Sequence, residues 1–479
     1  MTRRVAVVGA GAAGLTAAIR AAEAGAQVTL LNAHPRIGLK ILMSGGTRCN
    51  VTHREVTERD FHGGSRAVIR RVLAEFPVAE TLAWFRELGV ELKLEESGKY
   101  FPATDDARTV LDALLGACEG RGVDVLAGAR VVRIGLDEGV GKAGGTGGGG
   151  TGRGARPEEG STRSRAERQR IATAPGAAAT RFRLGIQRVG DSAAFGAGVA
   201  AVGRAAWPLP PVEPDEWIEA DAVVLATGGL SFPRTGSDGT GYALAAALGH
   251  TLVPPTPALT PLAAADPWCA KLQGLACEAE LSLWVDGRRA AEAGGALLFA
   301  HFGYTGPAAL DLSRHWHAAE GRARRVIASF VPGETREALE ESWIGRARAA
   351  RRTVQRWLMA RVPERLAEAL CAAAAVDGAR ALNQVPREAR GRLLALLTGR
   401  ELPVTGTLGY EKAEVTAGGV PLAEVDPRTL ESRIAPGLHL CGEVLDVEGR
   451  LGGFNFQWAW SSGTVAGRAA GKSDEGASR

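Results

Sequence analysis

The segment "RVAVVGAGAAGLTAAIRAAEAGAQVTLLN", residues 4–32, decides the fold class of this chain. Its first five residues form an apolar, valine-rich run that predicts a buried strand, and a glycine-rich turn follows directly. The alanine-rich stretch after the turn predicts a helix that stops at Gly25, and "AQVTLL" predicts a second strand. We therefore expect an α/β fold whose first strands lie in a parallel sheet.

The glycine turn carries the spacing G-x-G-x-x-G at Gly9, Gly11 and Gly14. In a Rossmann-like unit the first glycine permits the tight turn, the second lets the backbone approach a pyrophosphate, and the third lets helix and strand pack closely. The second strand should end in an acid that binds a ribose diol, but this chain has Asn32 there. An amide still accepts a hydroxyl hydrogen bond, although a charged acceptor binds it more strongly.

Two later segments favour FAD over a simple nicotinamide cofactor. "VVLATGG", residues 223–229, reads as the strand and turn that pass near the dinucleotide in flavoproteins with two dinucleotide folds. "GLHLCGEVLDVEGRLGGFNFQWAWSSGTVAG", residues 437–467, places Gly442 and Glu443 after a strand, where they would face the ribityl–pyrophosphate part of FAD. The helix that opens near Asn455 would aim its positive N-terminus at the flavin.

The stretch "LKILMSGGTRCNVTH", residues 39–53, is predicted to be a loop that folds back against FAD. Lys40 and Arg48 would face FAD phosphates or flavin oxygens, and a solvated surface pair is the alternative. Ser44–Gly46 would offer backbone donors at close range. Cys49 is a candidate proton donor for the saturation of a C=C bond. The alternative is that Cys49 is a small buried hydrophobic residue.

His301, in "LLFAHFGYTGP", is a second candidate proton donor or substrate ligand, and a packing histidine is the alternative. Tyr304, Ser231 and Tyr100 lie in similarly patterned segments and share this ambiguity. Asp446 could hold flavin or ribityl hydroxyls together with the acid at 443, or it could belong to a structural turn. The cofactor-binding residues that we predict are Gly9, Gly11, Ala13, Gly14, Asn32, Lys40, Ser44, Gly45, Gly46, Arg48, Asn50, Val131, Thr227, Gly228, Gly442, Glu443, Asp446, Gly453, Asn455 and Gln457.

Composition restricts the class of protein further. The chain has 479 residues, 45% of them hydrophobic and 23% charged, which is ordinary for a globular protein with more than one domain. Its six cysteines are widely separated and form no zinc-type cluster, so we expect neither disulfides nor a metal site. No signal-like segment or membrane-length apolar run is present in the sequence, and we expect a cytoplasmic protein.

Two arginine-rich segments need an interpretation. Residues 136–182 are rich in glycine and arginine and nearly free of apolar residues, so we predict disorder there. We interpret the segment as a tolerated surface insertion, and contact of its arginines with RNA is the alternative. Residues 346–365 are predicted to form a basic helix that could dock a phosphate backbone such as that of rRNA. A solvated arginine face is the alternative for that helix.

Several motifs in a fixed order resemble the BaiN/RdsA-type flavoproteins, also described as aminoacetone-oxidase-like. They are "GLKILMSGGTRCNVTH", "GKYFPATDDARTVLDAL", "LATGGLSFPRTGSDGTGYALAAALGH", "LLFAHFGYTGPAALDLS", "VTAGGV" and "GEVLDVEGRLGGFNFQWAWSSGTVAG". The resemblance covers nearly the whole chain apart from residues 136–182 and the last few residues. Departures are Asn32, where the family usually has an acid, Leu39, where it usually has arginine, and Thr47, where a third glycine is common.

The resemblance implies an FAD domain that is split in sequence, over residues 1–254 and 406–479, with a β-barrel and helical domain inserted at 255–405. It also implies an FAD-dependent oxidoreductase, with NAD(P)H as a transient electron donor. The favoured expectation is hydride transfer to a C=C bond, with uridine in 23S rRNA as substrate. The alternatives are reduction of another unsaturated small molecule, oxidation of a small amine or amino ketone such as aminoacetone, and a non-catalytic flavin-bound RNA-binding factor. The oligomeric state does not follow from the sequence.

Overall fold

A computed structural model of the protein describes residues 2–137, 181–190, 212–349 and 352–472. The strands are β1 (Arg4–Val8), β2 (Gln27–Asn32), β3 (Thr52–His53), β4 (Phe61–Gly63), β5 (Leu92–Leu94), β6 (Lys99–Pro102), β7 (Asp124–Ala127), β8 (Ala129–Asp137), β9 (Arg181–Arg188), β10 (Glu216–Ala220), β11 (Ala222–Leu225), β12 (Val253–Ala258), β13 (Leu262–Ala264), β14 (Ala276–Val285), β15 (Arg288–Ala300), β16 (Gly303–Thr305), β17 (Arg324–Ser329), β18 (Arg400–Leu402), β19 (Val404–Thr407), β20 (Val415–Gly419), β21 (Leu438–Leu440) and β22 (Val447–Gly449). The α-helices are α1 (Ala12–Glu23), α2 (Leu39–Thr47), α3 (Arg66–Glu75), α4 (Val78–Glu87), α5 (Ala107–Glu119), α6 (Thr240–Ala247), α7 (Pro267–Lys271), α8 (Pro307–Ala318), α9 (Arg336–Ala349), α10 (Val354–Met359), α11 (Glu364–Ala374), α12 (Arg387–Gly399) and α13 (Phe454–Gly471).

A five-stranded sheet in the order β21-β11-β1-β2-β7 is parallel throughout and confirms the predicted Rossmann-like fold class. The valine-rich run of β1 is central because Val5 to Val8 are almost completely buried between two neighbouring strands. Strands β11 and β21 come from the middle and the end of the sequence. The sheet therefore brings the glycine turn, the "LATGG" turn and the "CGE" turn to one carboxyl edge, where ligands bind in such folds.

Helices α1 and α13 pack together through a ladder of small residues that the sequence reading did not identify. Gly463, Gly467 and Gly471 recur every four residues and therefore share one face of α13. A Cβ atom at Gly467 would lie 2.3 Å from the carbonyl oxygen of Ala17 on α1, and one at Gly463 would lie 2.5 Å from that of Ala13. Only glycine lets the two backbones come this close, so the ladder fixes both helices relative to the sheet.

A seven-stranded sheet in the order β18-β17-β14-β15-β16-β13-β19 organises the region that we expected as an inserted domain. Its pairings are antiparallel, and its edge strands β18 and β19 are separated in sequence by Pro403 alone. The sheet must therefore curl until its two edges nearly meet, although no ladder joins them within the described residues. Helices α8 to α12 cover it, and Trp343 and Trp357 pack edge to face in their core with ring centroids 5.0 Å apart.

The two folded regions are joined by specific contacts. Strand β12 pairs with β20 in an antiparallel ladder. On α8, Arg314 forms an ion pair with the buried Glu448 of β22, and the Asp311 carboxylate accepts a hydrogen bond of 2.8 Å from the backbone N–H of Leu451. The loop before α13 is thus held by the helix that lies on the curled sheet.

Three details of the sequence prediction are wrong. Residues 39–47 form helix α2, which is kinked by non-helical backbone angles at Ser44, Gly45 and Gly46, rather than a loop. Residues 346–365 do not form one basic helix, because the chain divides there among α9, α10 and α11. The ends of the segment that we predicted to be disordered belong to strands β8 and β9, while residues 138–180 lie outside the described part of the chain.

None of the helices in the described ranges is both long enough and apolar enough to pass through a lipid bilayer.

Candidate active site

A cavity of about 490 Å³, open to solvent on one side, runs from the glycine turn at the edge of the parallel sheet to the N-terminus of α13. Most of the predicted cofactor-binding residues line it: Gly9, Gly11, Ala13, Asn32, Lys40, Ser44, Gly45, Gly46, Arg48, Asn50, Val131, Thr227, Gly228, Gly442, Glu443, Gly453 and Asn455. Gly14, Asp446 and Gln457 are not on its wall. The fold therefore gathers residues from most of the sequence around one volume.

The glycine turn has the geometry that a phosphate-binding loop requires. Gly9 adopts a φ of 104°, and a Cβ there would lie 2.4 Å from the carbonyl oxygen of Ala226. A Cβ at Gly14 would lie 1.7 Å from the carbonyl oxygen of Gly9, whereas a Cβ at Gly11 would meet nothing within 4 Å. The first and third glycines are thus needed for packing, and the second leaves open space beside the cavity. Because no side chain caps the N-terminus of α1, its first N–H groups remain available to an anion.

Asn32 lines the cavity, and its side chain also forms hydrogen bonds within the protein. Its side-chain oxygen accepts a hydrogen bond of 3.1 Å from the backbone N–H of Ala10, and its amide nitrogen donates one of 2.6 Å to the carbonyl of His34. A carboxylate in this position could not donate to that carbonyl. The asparagine that departs from the usual acid therefore ties the glycine turn to the segment after β2.

The two basic residues that we predicted to face phosphate are paired with protein carboxylates. Lys40 Nζ lies 2.9 Å from a carboxylate oxygen of Glu443 and donates a 2.7 Å hydrogen bond to the hydroxyl of Ser231. Arg48 pairs with Glu95 at 2.6 Å. Its guanidinium carbon also lies 4.0 Å from the centre of the Phe101 ring. Both cations line the cavity, but their charges are balanced before any ligand binds.

The N-terminus of α13 forms the other end of the cavity. Gly453 precedes this 18-residue helix with a φ of 91°, and no side chain caps the first turn. The Asn50 amide, oriented to satisfy both neighbours, accepts a 3.0 Å hydrogen bond from the Gly453 N–H and donates one to the carbonyl of Thr52. The Asn455 side chain exchanges two hydrogen bonds with the backbone of Gly449. These amides fix the loop that aims the positive helix end at the cavity.

Gln457 and Asp446 lie behind the wall. The buried Gln457 amide accepts hydrogen bonds from Thr52 and Thr81 and donates to the carbonyl of Phe76, so it joins α13 to neighbouring segments. Burial raises the pKa of the Asp446 carboxyl above its ordinary value. The carbonyl oxygen of Asp446 accepts a 2.8 Å hydrogen bond from the Gly64 N–H. Both residues therefore have structural contacts, and their assignment to the cofactor stays a prediction.

The two predicted proton donors lie away from the cavity wall. Cys49 is fully buried, and this burial raises the pKa of its thiol to about 12. His301 is exposed at the turn between β15 and β16, where its ring contacts Phe302 with centroids 5.0 Å apart. Tyr304, its neighbour in sequence, is buried and donates its hydroxyl to the carboxylate of Asp266. The geometry does not bring any of these groups to the wall.

Sequence reasoning missed several cavity residues. Arg130 on β8 forms a short ion pair with Asp238 and donates a 3.1 Å hydrogen bond to Thr240 at the start of α6. Lys99 at the start of β6 and Glu414 just before β20 also line the cavity. The segment "SDGTG", residues 237–241, lies within one of the motifs quoted above and could have indicated the first group. Lys99 also lies in a quoted motif, "GKYFPATDDARTVLDAL", and Glu414 directly precedes another, "VTAGGV", but only the tertiary fold brings the two to the same cavity.

The donor set fits a dinucleotide, whose phosphates and other hydrogen-bond acceptors need such groups. Uncapped helix N-termini lie on the cavity wall at α1 and at α13, and the kinked residues Ser44 to Gly46 expose backbone between them. The hydroxyl oxygen of Thr227 is buried at the wall and has no hydrogen-bond partner within the described ranges. A buried polar atom without a partner is costly, so a bound ligand would relieve it.

The chain is similar to known proteins along most of its length. The family model described as "HI0933-like protein Rossmann domain" matches residues 3–143 and 211–469. A 3-dehydro-bile acid delta(4,6)-reductase of Clostridium scindens is 31% identical over 98% of each chain. A ribosomal RNA dihydrouridine synthase of Escherichia coli is 29% identical over 95% of each chain.

A solved structure of 3-ketosteroid delta1-dehydrogenase from Sterolibacterium denitrificans is 12% identical, with a TM-score of 0.46 over 98% of this chain and 100% of the other. The family model matches well over half of the described chain, and the bile-acid reductase relates to nearly all of it. The chain therefore belongs to the HI0933-like Rossmann-domain family, the BaiN/RdsA-type FAD-dependent flavoprotein oxidoreductases.

Proposed function

We propose that the protein binds FAD in this cavity and reduces a carbon–carbon double bond that is conjugated with a carbonyl group. The observation that carries the proposal is that one cavity has an uncapped helix N-terminus on its wall at α1 and another at α13. These ends offer sites for the pyrophosphate and for the electron-rich edge of the flavin. The names of the relatives support the reaction class, because a delta(4,6)-reductase and a dihydrouridine synthase both saturate a double bond.

The residues of the chain have distinct parts in this proposal. The turn at Gly9 to Gly11 and the first turn of α1 would hold the pyrophosphate, and Gly45, Gly46 and Gly453 would lie along the flavin. Bound FAD would supply the hydride that reaches the substrate. The ion pair of Lys40 with Glu443 would keep the wall between these groups rigid, since it joins α2 to the turn after β21. NAD(P)H is proposed as a transient reductant of the flavin.

Uridine in 23S rRNA is the substrate that we propose to test first, with NAD(P)H as the electron source. It is a conjugated substrate, and two relatives are named as rRNA dihydrouridine synthases. The arginines of residues 346–365 give this choice limited support. Arg361 pairs with Glu334, and Arg365 donates to the backbone carbonyls of Lys271 and Gln273. Because these two arginines are already engaged within the protein, a small substrate without phosphates must be tested beside rRNA. A conjugated steroid-like enone is the matched small-molecule substrate.

The test uses the purified protein with its cofactor. We expect a flavin absorbance spectrum, anaerobic bleaching by NADH or NADPH, and recovery of the absorbance when a double-bond substrate is added. Unmodified 23S rRNA fragments, a cyclic enone and aminoacetone would be compared in parallel. Reoxidation by rRNA or enone, with a saturated product found by mass spectrometry, supports the proposal. Protein without flavin, or hydrogen peroxide release with aminoacetone in the absence of any saturated product, would refute it.

A further inference from the structure

We propose that Glu414 is the acid that protonates the α-carbon of the substrate and that Lys99 is the cation that holds the substrate carbonyl oxygen. This inference rests on the double-bond reduction proposed above and assigns its substrate-facing residues. Both side chains line the cavity, and they reach it from separate segments, at the start of β6 and just before β20. Neither side chain has a hydrogen-bond or ion-pair partner among the residues that the structure describes.

The backbone of Glu414 is fixed although its side chain is unbound. Its N–H donates a 3.1 Å hydrogen bond to the carbonyl of Leu259, and its carbonyl accepts one of 3.2 Å from the Ser231 hydroxyl. The exposed side chain faces the cavity. A rigid main chain that presents an unengaged carboxyl group is the arrangement that a positioned acid needs, because little ordering remains when the substrate binds.

The environment of Glu414 raises the pKa of its carboxyl group, although the charges around it do not all act in that direction. Although the side chain is open to the cavity, the dense protein around the carboxyl group disfavours its charged form and raises the pKa of Glu414 above its ordinary value. Asp311 on α8 raises this pKa further, while the ammonium groups of Lys99 and Lys40 lower it. Because burial has the largest effect, the net shift is upward, toward the pH at which the enzyme would work.

Lys99 is placed to serve a different atom of the same substrate. Its side chain passes Gly452, where a Cβ atom would lie 3.6 Å from the lysine Cε, next to the N-terminus of α13. An ammonium group without a carboxylate partner retains its capacity to bind an anionic oxygen. As hydride adds to a conjugated double bond, negative charge develops on the carbonyl oxygen, and a preorganised cation stabilises that charge.

Other ionisable groups near the cavity are less suited to these tasks. Lys40 is held by Glu443, and Arg48 is held by Glu95. Cys49 is buried away from the wall. Glu414 is therefore the acid at the wall that combines an elevated pKa with an unengaged carboxyl group in the described chain.

The reaction balances with these two residues and reduced FAD as the reductant. The β-carbon of the substrate accepts a hydride, the π electrons of the double bond move toward the carbonyl, and an enolate forms opposite Lys99. The carboxyl group of Glu414 then gives its proton to the α-carbon and becomes a carboxylate. The substrate would gain two electrons and two hydrogens, one as the hydride that reduced FAD supplies and one as the Glu414 proton. FAD would be left oxidised, and Glu414 would be reprotonated from solvent.

The first test compares Glu414→Gln and Glu414→Asp with the exposed control Glu411→Gln. We expect Glu414→Gln to slow flavin reoxidation by the double-bond substrate by about 100-fold, the lower range for loss of a general acid. The rate of flavin reduction and the affinity for FAD should stay within about twofold of the wild-type values, which is a small change on the scale of binding free energies. Glu414→Asp should restore part of the rate. An unchanged reoxidation rate in Glu414→Gln, or an equal loss in Glu411→Gln, would overturn the role of this residue.

The pH dependence supplies a second readout. Because Glu414 must be protonated to act, the wild-type reoxidation rate should fall as the pH rises through its elevated pKa. The slow Glu414→Gln variant should show no such decline. A wild-type profile that is flat over this range, or the same decline in both proteins, would contradict the assignment.

Lys99 can be tested without turnover by binding a substituted phenol, whose phenolate oxygen resembles an enolate. The wild-type protein with oxidised FAD should bind it with a shifted flavin absorbance, and Lys99→Met should weaken binding by about tenfold, equivalent to about 1.4 kcal/mol. The exposed control Lys412→Met should bind normally. Equal phenol affinity in the wild-type and Lys99→Met proteins would overturn the assignment of Lys99.

These measurements separate failure of this inference from failure of the proposed reaction. If the wild-type protein reduces no double bond, the proposed function fails, and the assignment of Glu414 fails with it, whereas phenol binding still decides whether Lys99 is an anion-binding group. If the wild-type protein reduces the double bond and Glu414→Gln does so equally well, the proposed function stands and the inference about Glu414 is wrong.

Discussion

The glycine end of the cavity is lined by Gly9 and Gly11, with Gly14 packed behind them, and comes from six consecutive positions. Its acid–cation end, lined by Lys99, Glu414 and Gly453, joins residues more than 300 positions apart. The glycine end acts through backbone geometry and a helix N-terminus. The acid–cation end acts through side chains that carry charge or a proton. Binding of a common cofactor can therefore depend on a local motif, while the choice of reaction depends on long-range packing.

Helices α1 and α13 join the two ends of the cavity. The largest predicted loss of stability therefore comes from a substitution that forces these two helices apart. Gly467→Leu would force a side chain against the backbone of Ala17, where even a Cβ atom would lie 2.3 Å from the carbonyl oxygen. We expect the free energy of unfolding to fall by about 3 kcal/mol, the upper part of the range for overpacking. Thermal and urea denaturation of the protein measure this loss.

Gly116→Leu is the matched control, because Gly116 is an exposed helix residue of α5 and a Cβ there meets nothing within 4 Å. This control should be as stable as the wild-type protein or slightly more so, since leucine favours a helix over glycine. If Gly467→Leu unfolded at the same urea concentration as Gly116→Leu, the glycine ladder would not determine how the helices pack.

The next largest loss of stability is expected at the glycine end, where substitutions of two glycines can be compared. Gly14→Ala would place a methyl group 1.7 Å from the carbonyl of Gly9, so we expect a loss of about 2 kcal/mol in stability together with loss of flavin. Gly11→Ala meets no protein atom within 4 Å and should leave the protein without flavin as stable as the wild type. It should nevertheless weaken FAD binding by about tenfold, which corresponds to about 1.4 kcal/mol.

Denaturation of the flavin-free proteins and fluorescence titration with FAD separate the two effects. Equal destabilisation by both substitutions would mean that Gly11 is needed for packing rather than for the approach of the cofactor.

Asn32→Asp should have a smaller effect on the same end. The substitution restores the acid that is usual in the family, but the carboxylate would face the carbonyl of His34, to which the amide now donates at 2.6 Å. We expect a loss of about 1–2 kcal/mol in stability, because a hydrogen-bond donor is lost and two acceptors are brought together. Denaturation with and without FAD measures it. A more stable variant that binds FAD more tightly would show that ribose recognition outweighs the internal hydrogen bond.

The smallest predicted effect is the lack of chemical modification at Cys49. It tests whether this thiol is buried away from the cavity that Glu414 lines. Burial raises the pKa of this thiol to about 12, so almost no thiolate forms at pH 8. We expect iodoacetamide to leave Cys49 unmodified in the folded protein and to alkylate it in urea, as measured by peptide mass spectrometry. Rapid alkylation of the folded protein that FAD prevents would instead place this thiol at the cavity.

The sequence predicts a site residue well when its role depends on local backbone geometry and poorly when its role depends on tertiary packing. Gly9, Gly11 and Gly14 are recognisable because their spacing within a strand–turn–helix unit has one main geometric use. Cys49 is a candidate proton donor in the sequence because it lies beside glycines and basic residues, yet its side chain packs into the core. Lys99 lies within a quoted motif and Glu414 beside one, but neither could be assigned to the cavity from the sequence, since a lysine or glutamate is usually solvated.

The sequence alone determined the parallel dinucleotide-binding fold, the glycine turn, the helix that opens near Asn455 and a set of cofactor-binding candidates, most of which line the cavity. These features depend on local backbone preferences and on motifs a few residues long. The tertiary structure alone decided that Lys40 and Arg48 are paired with carboxylates, that Cys49 lies behind the wall, and that an unpaired lysine and an unpaired glutamate share one cavity. Burial and ion pairing depend on which distant segments meet, and that information is spread over the whole chain.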